Sequence, residues 1–383
     1  MKILLIGEYS GVHTNLAKAL KNKKIELTTV SDGDAYKKFP ADIFIKYDRK
    51  ELKNRHLNYI LKFYYLILIY TGLLGVFQIL KYLGKIKLLK NYDVVQVINP
   101  IALSGFGSMV NLFFMKFIIK NNKKVFLCCL GDDYVWVKGS IKNKKFKSMF
   151  HLMSLKNFEQ YVPSFKYTHG FLYKKLNFLL INESKNLIPG LYDYYHHYKD
   201  FEKCTEIHPV PIEVDNNILA LKFTKYPINI FHGWQPNKEY RKGNFIFDEA
   251  VRKLLKKYPD KVIYNVVGGL PYEEYIKTFN DAHIFLDQCM SMDQGVNALV
   301  AMSKGKVVFS GLCDQLKDYY NLSENELPVV NSIPDVDYLY QKLEDFVINP
   351  NKLESYSFNA IEFIKNKHNM EKVADMYLNV WSK

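Results

Sequence analysis

The sequence predicts an α/β protein with two domains, each built on a doubly wound parallel sheet that helices cover on both faces. Apolar strand patterns alternate with amphipathic helix patterns through both halves of the chain, and glycine follows several of the strands. The chain has 383 residues, of which 48% are hydrophobic, enough for two cores of ordinary size. We therefore expect a first domain over residues 1–208 and a second over residues 209–366.

The first domain opens with a strand, a glycine turn and a helix. The predicted strand at 2–6 is followed by Gly7 and Gly11, and residues 12–22 have the period of an amphipathic helix. Further apolar patterns predict strands at 26–30, 42–45, 94–98, 124–130 and 178–182, and helices at 57–83, 105–121 and 145–158.

The second domain repeats the alternation. Residues 284–311 form one unit in which a strand ends at Asp287 and Gln288, Gly295 opens a short helix, and Gly305 ends it. Ligands of open α/β sheets bind beyond the carboxyl ends of strands, and a helix N-terminus favours an anion, so we expect an anionic ligand here. The predicted strands are 227–231, 261–267, 283–287, 306–310 and 328–330, and the helices are 243–258, 271–280, 295–304 and 335–348.

This unit resembles the donor-sugar loop of retaining GT-B glycosyltransferases, of the family 4 and family 1-like, bacterial surface-polysaccharide type. The matching positions are Asp287, Gln288, Gly295, Ala301, Met302, Gly305, Lys306, Val307 and Val308. The resemblance extends to the opening MKILLIGEYSGVH and to IHPVPIEVD at residues 207–215. It implies the GT-B fold, in which two Rossmann-like domains face a cleft and the C-terminal helix, here 367–383, packs back on the first domain.

One position departs from the family pattern. Such enzymes usually place a Glu before the Ala-Met pair, where its carboxylate holds the ribose hydroxyls, and this chain has Val300 there. Asp293 and Asn297 are the nearest polar residues that could substitute for it.

The resemblance also implies a binding site for the donor diphosphate. Arg241 and Lys242 precede Gly243 and a helix, so cations and free N–H groups could act on one anion. A solvated Lys-Gly turn is the alternative. Gly233 and His232, at the end of the preceding strand, could line the same site.

A second glycine segment follows the strand at 261–267. Gly269 and Tyr272 resemble the family segment that frames the nucleobase. An ordinary strand-to-helix turn, with Pro271 at the helix start, explains the same residues.

Polar residues after two strands of the first domain are candidates for the acceptor side. Gly7, Ser10 and Gly11 form a loop after the first strand, and we expect it to face the acceptor. The candidate catalytic residues are Asp132, Asp133 and His13, because carboxylates at a strand end can orient or deprotonate a sugar hydroxyl. Adjacent aspartates are also common helix caps, and a histidine at a helix start is often structural.

We expect no metal and no cofactor beyond the nucleotide-sugar co-substrate. The chain has no Asp-x-Asp motif flanked by apolar residues, and Asp32-Gly33-Asp34 follows the second strand in a loop. Five cysteines without metal-ligand spacing favour reduced thiols in a cytoplasm, and the first residues do not form a secretory signal pattern.

The net charge of +14 calls for an anionic partner. The basic residues are spread along the chain without a nucleic-acid-binding motif, so we expect no nucleic acid and favour an anionic membrane surface. Residues 57–83 are mostly apolar and fit a buried helix pair broken near Thr71 and Gly72, a helix lying in the membrane interface, or a membrane span. Interfacial docking would place a cytoplasmic protein peripherally on the inner face of the plasma membrane.

The leading hypothesis is a glycosyltransferase that moves a sugar from a nucleotide donor to a membrane-proximal, lipid-linked glycan in bacterial surface-polysaccharide synthesis. Val300 motivates an alternative, a catalytically impaired nucleotide-sugar-binding or scaffolding subunit. A nucleotide-sugar epimerase on the same fold is a third possibility.

Overall fold

The computed structural model describes residues 1–34, 37–142, 148–234, 237–268 and 272–383, with only the backbone for residues 272–275. The chain forms two compact units, Met1–Gly139, Val162–Pro211 and Met370–Lys383 in the first, and Ser140–Tyr161 and Ile212–Asn369 in the second. The observed boundary falls after Pro211 rather than at 208/209, and the returning C-terminal segment starts at Met370 rather than at residue 367. The sequence assigned residues 140–161 to the first domain, whereas Leu152 packs against the core of the second unit.

The first unit contains a six-stranded parallel sheet in the order β3-β2-β1-β4-β5-β6. The chain builds outward from β1 through β2 to β3 and then crosses to β4 on the other side. The switch point therefore lies between β1 and β4, which confirms a doubly wound sheet. The strands are β1 (Ile3–Ile6), β2 (Leu27–Ser31), β3 (Ile43–Phe44), β4 (Val94–Val97), β5 (Lys124–Cys129) and β6 (Leu187–Pro189).

Helices connect these strands. They are α1 (Val12–Asn22), α2 (Arg55–Tyr70), α3 (Leu83–Ile86), α4 (Ser108–Asn121), α5 (Tyr134–Lys142), α6 (Val162–His169), α7 (Tyr173–Glu183) and α8 (Tyr192–Tyr198), with short 3₁₀ turns at Gln78–Tyr82 and Phe158–Gln160. The predicted helix at 145–158 is wrong where the structure describes it, because residues 148–157 form turns; residues 143–147 lie outside the described residues.

The predicted strand at 178–182 is also wrong, because these residues belong to α7. The buried residues of α7 are Tyr173, Leu176, Asn177, Leu180 and Ile181, which follow the three- and four-residue spacing of one helix face. The apolar run at residues 178–181 contains part of that face, and its length alone did not distinguish a strand from a buried helix.

The C-terminal helix α16 (Met370–Ser382) belongs to the first unit. Its apolar face packs with α1 and the sheet, where Trp381 is 1% exposed and its indole N–H donates to Gln96 Oε1 at 3.0 Å. On the surface, Lys23 Nζ lies 2.9 Å from Asp375 Oδ1. The terminal helix thus fills part of the core that the N-terminal strands begin.

The second unit contains a five-stranded parallel sheet in the order β11-β10-β9-β7-β8, with its switch point between β7 and β9. The strands are β7 (Ile228–Gly233), β8 (Val262–Val267), β9 (Ile284–Leu286), β10 (Val307–Ser310) and β11 (Val330–Asn331). The helices are α9 (Glu239–Lys242), α10 (Asn244–Lys257), α11 (Tyr272–Asn280), α12 (Val296–Ser303), α13 (Asp314–Tyr320), α14 (Val336–Ile348) and α15 (Lys352–Phe363), followed by a π-helical turn at Ile364–His368.

Residues 57–83 do not form a buried helix pair. Tyr65 is the buried residue of α2, whereas Phe63 is 64% exposed and Phe77, beyond the helix, is 86% exposed. The break after Tyr70 falls where Gly72 has φ of 76°, a conformation that favours glycine. In the parts of the chain that the structure describes, no helix combines the length and the apolar character needed to cross a bilayer.

Candidate functional site

Lys242 and Asp287 meet at the carboxyl ends of two adjacent strands of the second sheet. Lys242 follows β7 and Asp287 follows β9 directly, and Lys242 Nζ lies 2.9 Å from Asp287 Oδ1. Ser310, at the end of β10, donates its hydroxyl to Asp287 Oδ2 at 2.9 Å. The carboxylate is buried and accepts both bonds, so the Lys242 ammonium has a fixed position at the switch point of the sheet.

Gly243 brings α9 and α10 against the β9 loop. Its φ is 77°, and a Cβ there would lie 2.2 Å from Cys289 Sγ. The Cys289 N–H donates to the Lys242 carbonyl oxygen at 3.0 Å. A side chain at residue 243 would separate these segments, so glycine keeps Lys242 beside the end of β9.

Gly295 and Gln288 join the same cluster. Gly295 is the N-cap of α12, and a Cβ there would lie 3.4 Å from Gln288 Nε2 and 3.7 Å from Asp287 Oδ2. The N-terminus of α12 therefore lies beside Gln288 and Asp287. Four residues named from the sequence, Lys242, Asp287, Gln288 and Gly295, thus lie together, and they combine a paired ammonium group with a helix N-terminus, a type of group that favours anions.

The two proposed substitutes for the ribose-binding Glu differ in environment. Asp293 is buried beside Ser291, whose hydroxyl lies 2.8 Å from the Asp293 carbonyl oxygen. Asn297 is exposed in the first turn of α12, and Val300, one turn later, is 41% exposed. Asn297 is thus open to a ligand on the helix face that carries Val300.

The remaining donor-site candidates are not part of this cluster. Arg241 Nε and Nη2 lie 3.1 and 2.7 Å from Met149 Sδ, and Gly233 ends β7 with its carbonyl oxygen 3.4 Å from Asn244 Nδ2. Gly269 lies outside the described residues. Tyr272 begins α11, and only its backbone is described.

Sequence inspection placed His232 at the edge of the site, but it is fully buried beneath it. Asn244 donates to His232 Nε2 at 2.7 Å, His232 Nδ1 donates to the Tyr264 hydroxyl at 2.6 Å, and that hydroxyl donates to Asp248 at 3.2 Å. Burial lowers the pKa of His232 to about 3, so the imidazole is neutral and its tautomer is set by these bonds.

In the first unit, the loop after β1 is organised by Glu8. Its carboxylate accepts from the N–H groups of Gly11 and Thr14 at 2.9 and 2.7 Å, at the start of α1. Burial raises the pKa of Glu8. Gly7 and Gly11 have φ of 85° and 88°, and the Ser10 N–H donates to Asp34 at 2.8 Å, so this loop is rigidly held.

His13 is buried on α1 below the loop. Its Nδ1 donates to the Gly7 carbonyl oxygen at 2.7 Å, and burial lowers its pKa to about 4. Among the described residues, Nε2 has no hydrogen-bond partner. A neutral, inward-facing imidazole supports the Gly7 turn.

Asp133 caps a helix. It is 1% exposed, accepts from the Trp136 N–H at 2.8 Å at the start of α5, and accepts from the Tyr198 hydroxyl at 2.6 Å. Burial raises its pKa to about 6. The carboxylate is enclosed by its partners, so the structure places it as a helix cap.

Asp132 is the more open of the two aspartates. It is half-buried, accepts a short hydrogen bond from the Ser164 hydroxyl, and lies near the Lys166 ammonium, whose pKa its charge raises against the effect of burial. Gly131 has φ of 80°, and a Cβ there would lie 2.6 Å from the Tyr9 ring. Close packing of Tyr9 on Gly131 thus brings the loops after β1 and β5 together.

No cluster of three or more His, Cys, Asp or Glu side chains able to hold a metal ion occurs within the described ranges. Neither a family model nor a curated protein matches this chain.

The two doubly wound parallel sheets define the GT-B fold of glycosyltransferases. Anabaena HepE in complex with UDP-glucose is 12% identical, with a TM-score of 0.55 over 100% of this chain and 99% of that chain. A Rickettsia africae glycosyltransferase is 13% identical, with a TM-score of 0.53 over 100% and 97%. S. aureus TarM, in complex with UDP and two other ligands, is 13% identical, with a TM-score of 0.53 over 80% and 58%. At these identities the likeness shows the fold.

Proposed function

We propose that this protein is a glycosyltransferase that transfers a sugar from a nucleotide-sugar donor to a membrane-proximal, lipid-linked glycan in bacterial surface-polysaccharide synthesis. The observation that carries the proposal is the Lys242–Asp287 pair beside Gly243 and Gly295, at the switch point of the second sheet. A cation fixed next to a helix N-terminus suits the diphosphate of such a donor. The bound UDP-glucose of HepE, a protein of the same fold, is in keeping with this ligand class.

In the proposed reaction, the bond between the anomeric carbon and the diphosphate breaks, and negative charge develops on the leaving phosphate. Lys242 and the first N–H groups of α12 stabilise that charge without a metal. Asp287 holds the ammonium in place, and Ser310 holds Asp287. We assign Gln288 and Asn297 to binding the sugar and ribose hydroxyls.

The acceptor hydroxyl attacks the anomeric carbon in the same proposal. We assign Asp132 to orienting that hydroxyl, because Asp132 is more open than the helix cap Asp133. A retaining outcome requires attack from the face that the leaving phosphate occupies, and the departing phosphate then accepts the acceptor proton. No enzyme nucleophile is needed for this route.

The location of the acceptor follows from α2. Its exposed apolar side chains and the net charge of +14 suit an anionic membrane surface, and we propose peripheral attachment to the inner face of the plasma membrane. A catalytically impaired binding subunit is the second candidate, because Val300 stands where the family places its ribose-binding Glu.

Incubation with a panel of UDP-, GDP- and dTDP-sugars, followed by mass spectrometry, tests the enzymatic proposal. We expect hydrolysis or transfer with one donor, and loss of that turnover in Lys242→Ala. Tight nucleotide binding without turnover of any donor, with or without membrane extract as acceptor source, would favour the binding subunit.

A further inference from the structure

A cavity of about 500 Å³ lies in the first unit at the carboxyl ends of its strands. Its walls come from the segments that follow β2, β3 and β4 and from the inner faces of α2 and α6. Lining residues used below are Asp32, Lys46, Arg49, Tyr65, Ile69 and Lys166. We call this space the cationic cavity.

Three basic residues and one acidic residue line the cationic cavity. Lys46 Nζ, Arg49 Cζ and Lys166 Nζ lie 4.5, 4.7 and 4.8 Å from the ring centroids of Phe44, Tyr65 and Tyr167. Within the described part of the chain, none of the three has a carboxylate at ion-pair distance. Asp32, the acidic lining residue, accepts hydrogen bonds from Ser104 and from the Asp34 N–H. The basic residues that line the cavity thus outnumber its acidic lining residue, and Lys166 is also influenced by the charge of Asp132.

Burial of a cation also favours the binding of an anion beside it. The Lys166 side chain is half-buried, and its pKa is lowered because burial penalises the ammonium. Arg49 presents a planar guanidinium that matches two oxygens of a phosphate, whereas the lysines act as point charges. A phosphate in the cavity would bring negative charge to the basic side chains that line it.

The same helix that lines the cavity exposes an apolar face. Tyr65 and Ile69 of α2 line the cavity, while other large side chains of α2 point to solvent. The exposed stripe continues after the helix. It comprises Leu57, Tyr59, Ile60, Phe63, Tyr64, Ile67, Leu73, Phe77, Leu80 and Leu83. Contiguous exposed apolar surface of this kind marks a membrane or lipid contact when basic residues flank it.

We propose that the cationic cavity binds the phosphate group of a lipid-linked acceptor, whose hydrocarbon chain lies along the exposed face of α2. This assignment rests on the proposed function and narrows its acceptor to a lipid phosphate or diphosphate. The basic residues of the cavity favour a phosphate as the ligand. The adjoining apolar face favours a phosphate attached to a lipid over a free anion. Asp132, whose charge acts on Lys166, then lies close to the sugar that the phosphate carries.

Titration calorimetry with geranyl diphosphate, a short prenyl diphosphate that needs no membrane, tests this assignment on the full chain. We expect Arg49→Met and Lys166→Met each to weaken binding by about tenfold, since one charge-assisted hydrogen bond contributes about 1.5 kcal/mol or more. Lys116→Met, on the exposed surface of α4, is the matched control and should bind like the wild type. Because Arg49 is exposed, its replacement tests the cavity even if Lys166→Met impairs folding.

The donor site could also capture a diphosphate, so Lys242→Ala is titrated in parallel. Unchanged affinity for geranyl diphosphate in Lys242→Ala, with loss in the Arg49 variant, would support a separate site in the first unit. Loss in Lys242→Ala but not in the cavity variants, affinity equal to that of inorganic pyrophosphate, or no binding at all would each overturn the assignment. Donor turnover is measured separately, so failure of the cavity assignment is distinguishable from failure of the proposed enzyme.

Discussion

Lys242 and Asp287 are 45 positions apart in the chain, and their charged atoms lie 2.9 Å apart at the ends of neighbouring strands. The side chain of Asp287 is 1% exposed and that of Lys242 17% exposed. Removing one partner of such a pair leaves the other charge poorly compensated, so the two residues act as one unit. The position of the cation therefore depends on β9 as much as on the helix that carries it.

Replacement of Lys242 by Ala should lower kcat/KM by about a hundredfold, because the developing charge on the leaving diphosphate loses its fixed cation. Steady-state kinetics with the best donor gives the value. Lys253→Ala is the matched control, since Lys253 pairs with Asp337 on the exposed surface. A change below threefold in Lys242→Ala would remove Lys242 from the reaction.

Gly243→Ala should destabilise the protein by about 2 kcal/mol, because a left-handed backbone and a contact 2.2 Å from Cys289 Sγ both oppose a side chain. Urea unfolding measures the change. Gly84 is the comparison, as a Cβ there meets no atom within 4 Å. Gly84→Ala should be neutral or slightly stabilising, and equal effects at both positions would contradict the close packing of Gly243.

Asp133→Asn should change how stability depends on pH. Burial raises the pKa of folded Asp133 to about 6, above the value of about 3.9 for an unfolded chain, so the folded state binds the proton more tightly. This contribution to stability is complete below about pH 4 and is lost as pH rises to about 6. The Asp133→Asn variant lacks this pH-dependent contribution to stability.

Relative to wild type, Asp133→Asn should therefore become more stable by about 3 kcal/mol between pH 4 and 6. Urea titrations at several pH values measure the difference. Asp260→Asn, at an exposed turn before β8, serves as the control. Parallel pH profiles for wild type and Asp133→Asn would show that Asp133 does not titrate in this range.

Asn297→Ala should raise the KM for the donor by about tenfold, if a ribose hydroxyl bonds to this exposed amide on α12. Val300→Ala, one turn along, changes no polar group and should leave KM unchanged. Val300→Glu introduces a carboxylate on the same helix face, and this variant should bind UDP more tightly than the wild type does. No response to either polar change would place the ribose elsewhere.

The double variant Ile60→Ser and Phe63→Ser should reduce binding to vesicles containing 30% anionic phospholipid by at least tenfold. Each side chain would lose up to about 1.5 to 3 kcal/mol of burial in the interface. Co-sedimentation measures the partition, and circular dichroism checks the fold. Phe358→Ser, which removes an equally exposed ring from α15, should bind vesicles normally. Similar losses in both proteins would argue against a specific role of α2.

Much of the fold could be predicted because the buried strands of a parallel sheet are short apolar runs separated by glycine turns. The strands at Ile3–Ile6 and Ile284–Leu286 show this plainly. This strand pattern gives the wrong prediction at α7, because Leu180 and Ile181 lie in a short apolar run but belong to the buried face of a helix. It also misses β6, whose three residues Leu187–Pro189 are too few to show a period.

The individual residues of the candidate site could be predicted from the sequence, but the contacts between them could not. Lys242 and Asp287 each stood out in the sequence, yet only the sheet order β9-β7 brings them together. Asp133 and Asp132 are indistinguishable as neighbours in sequence, and the partners Trp136 and Tyr198 make one of them a cap. No sequence motif identified Lys166, because its position at the cavity depends on the packing of α6 beside α2.

Helix α16 has a consequence for the order in which the chain folds during synthesis. Residues 212–369 leave the ribosome complete, whereas the first sheet still lacks the indole that bonds to Gln96. The second unit can close its core first, which reverses the usual N-terminal-first sequence of events. Until Trp381 emerges, the part of the first core that α16 covers stays exposed.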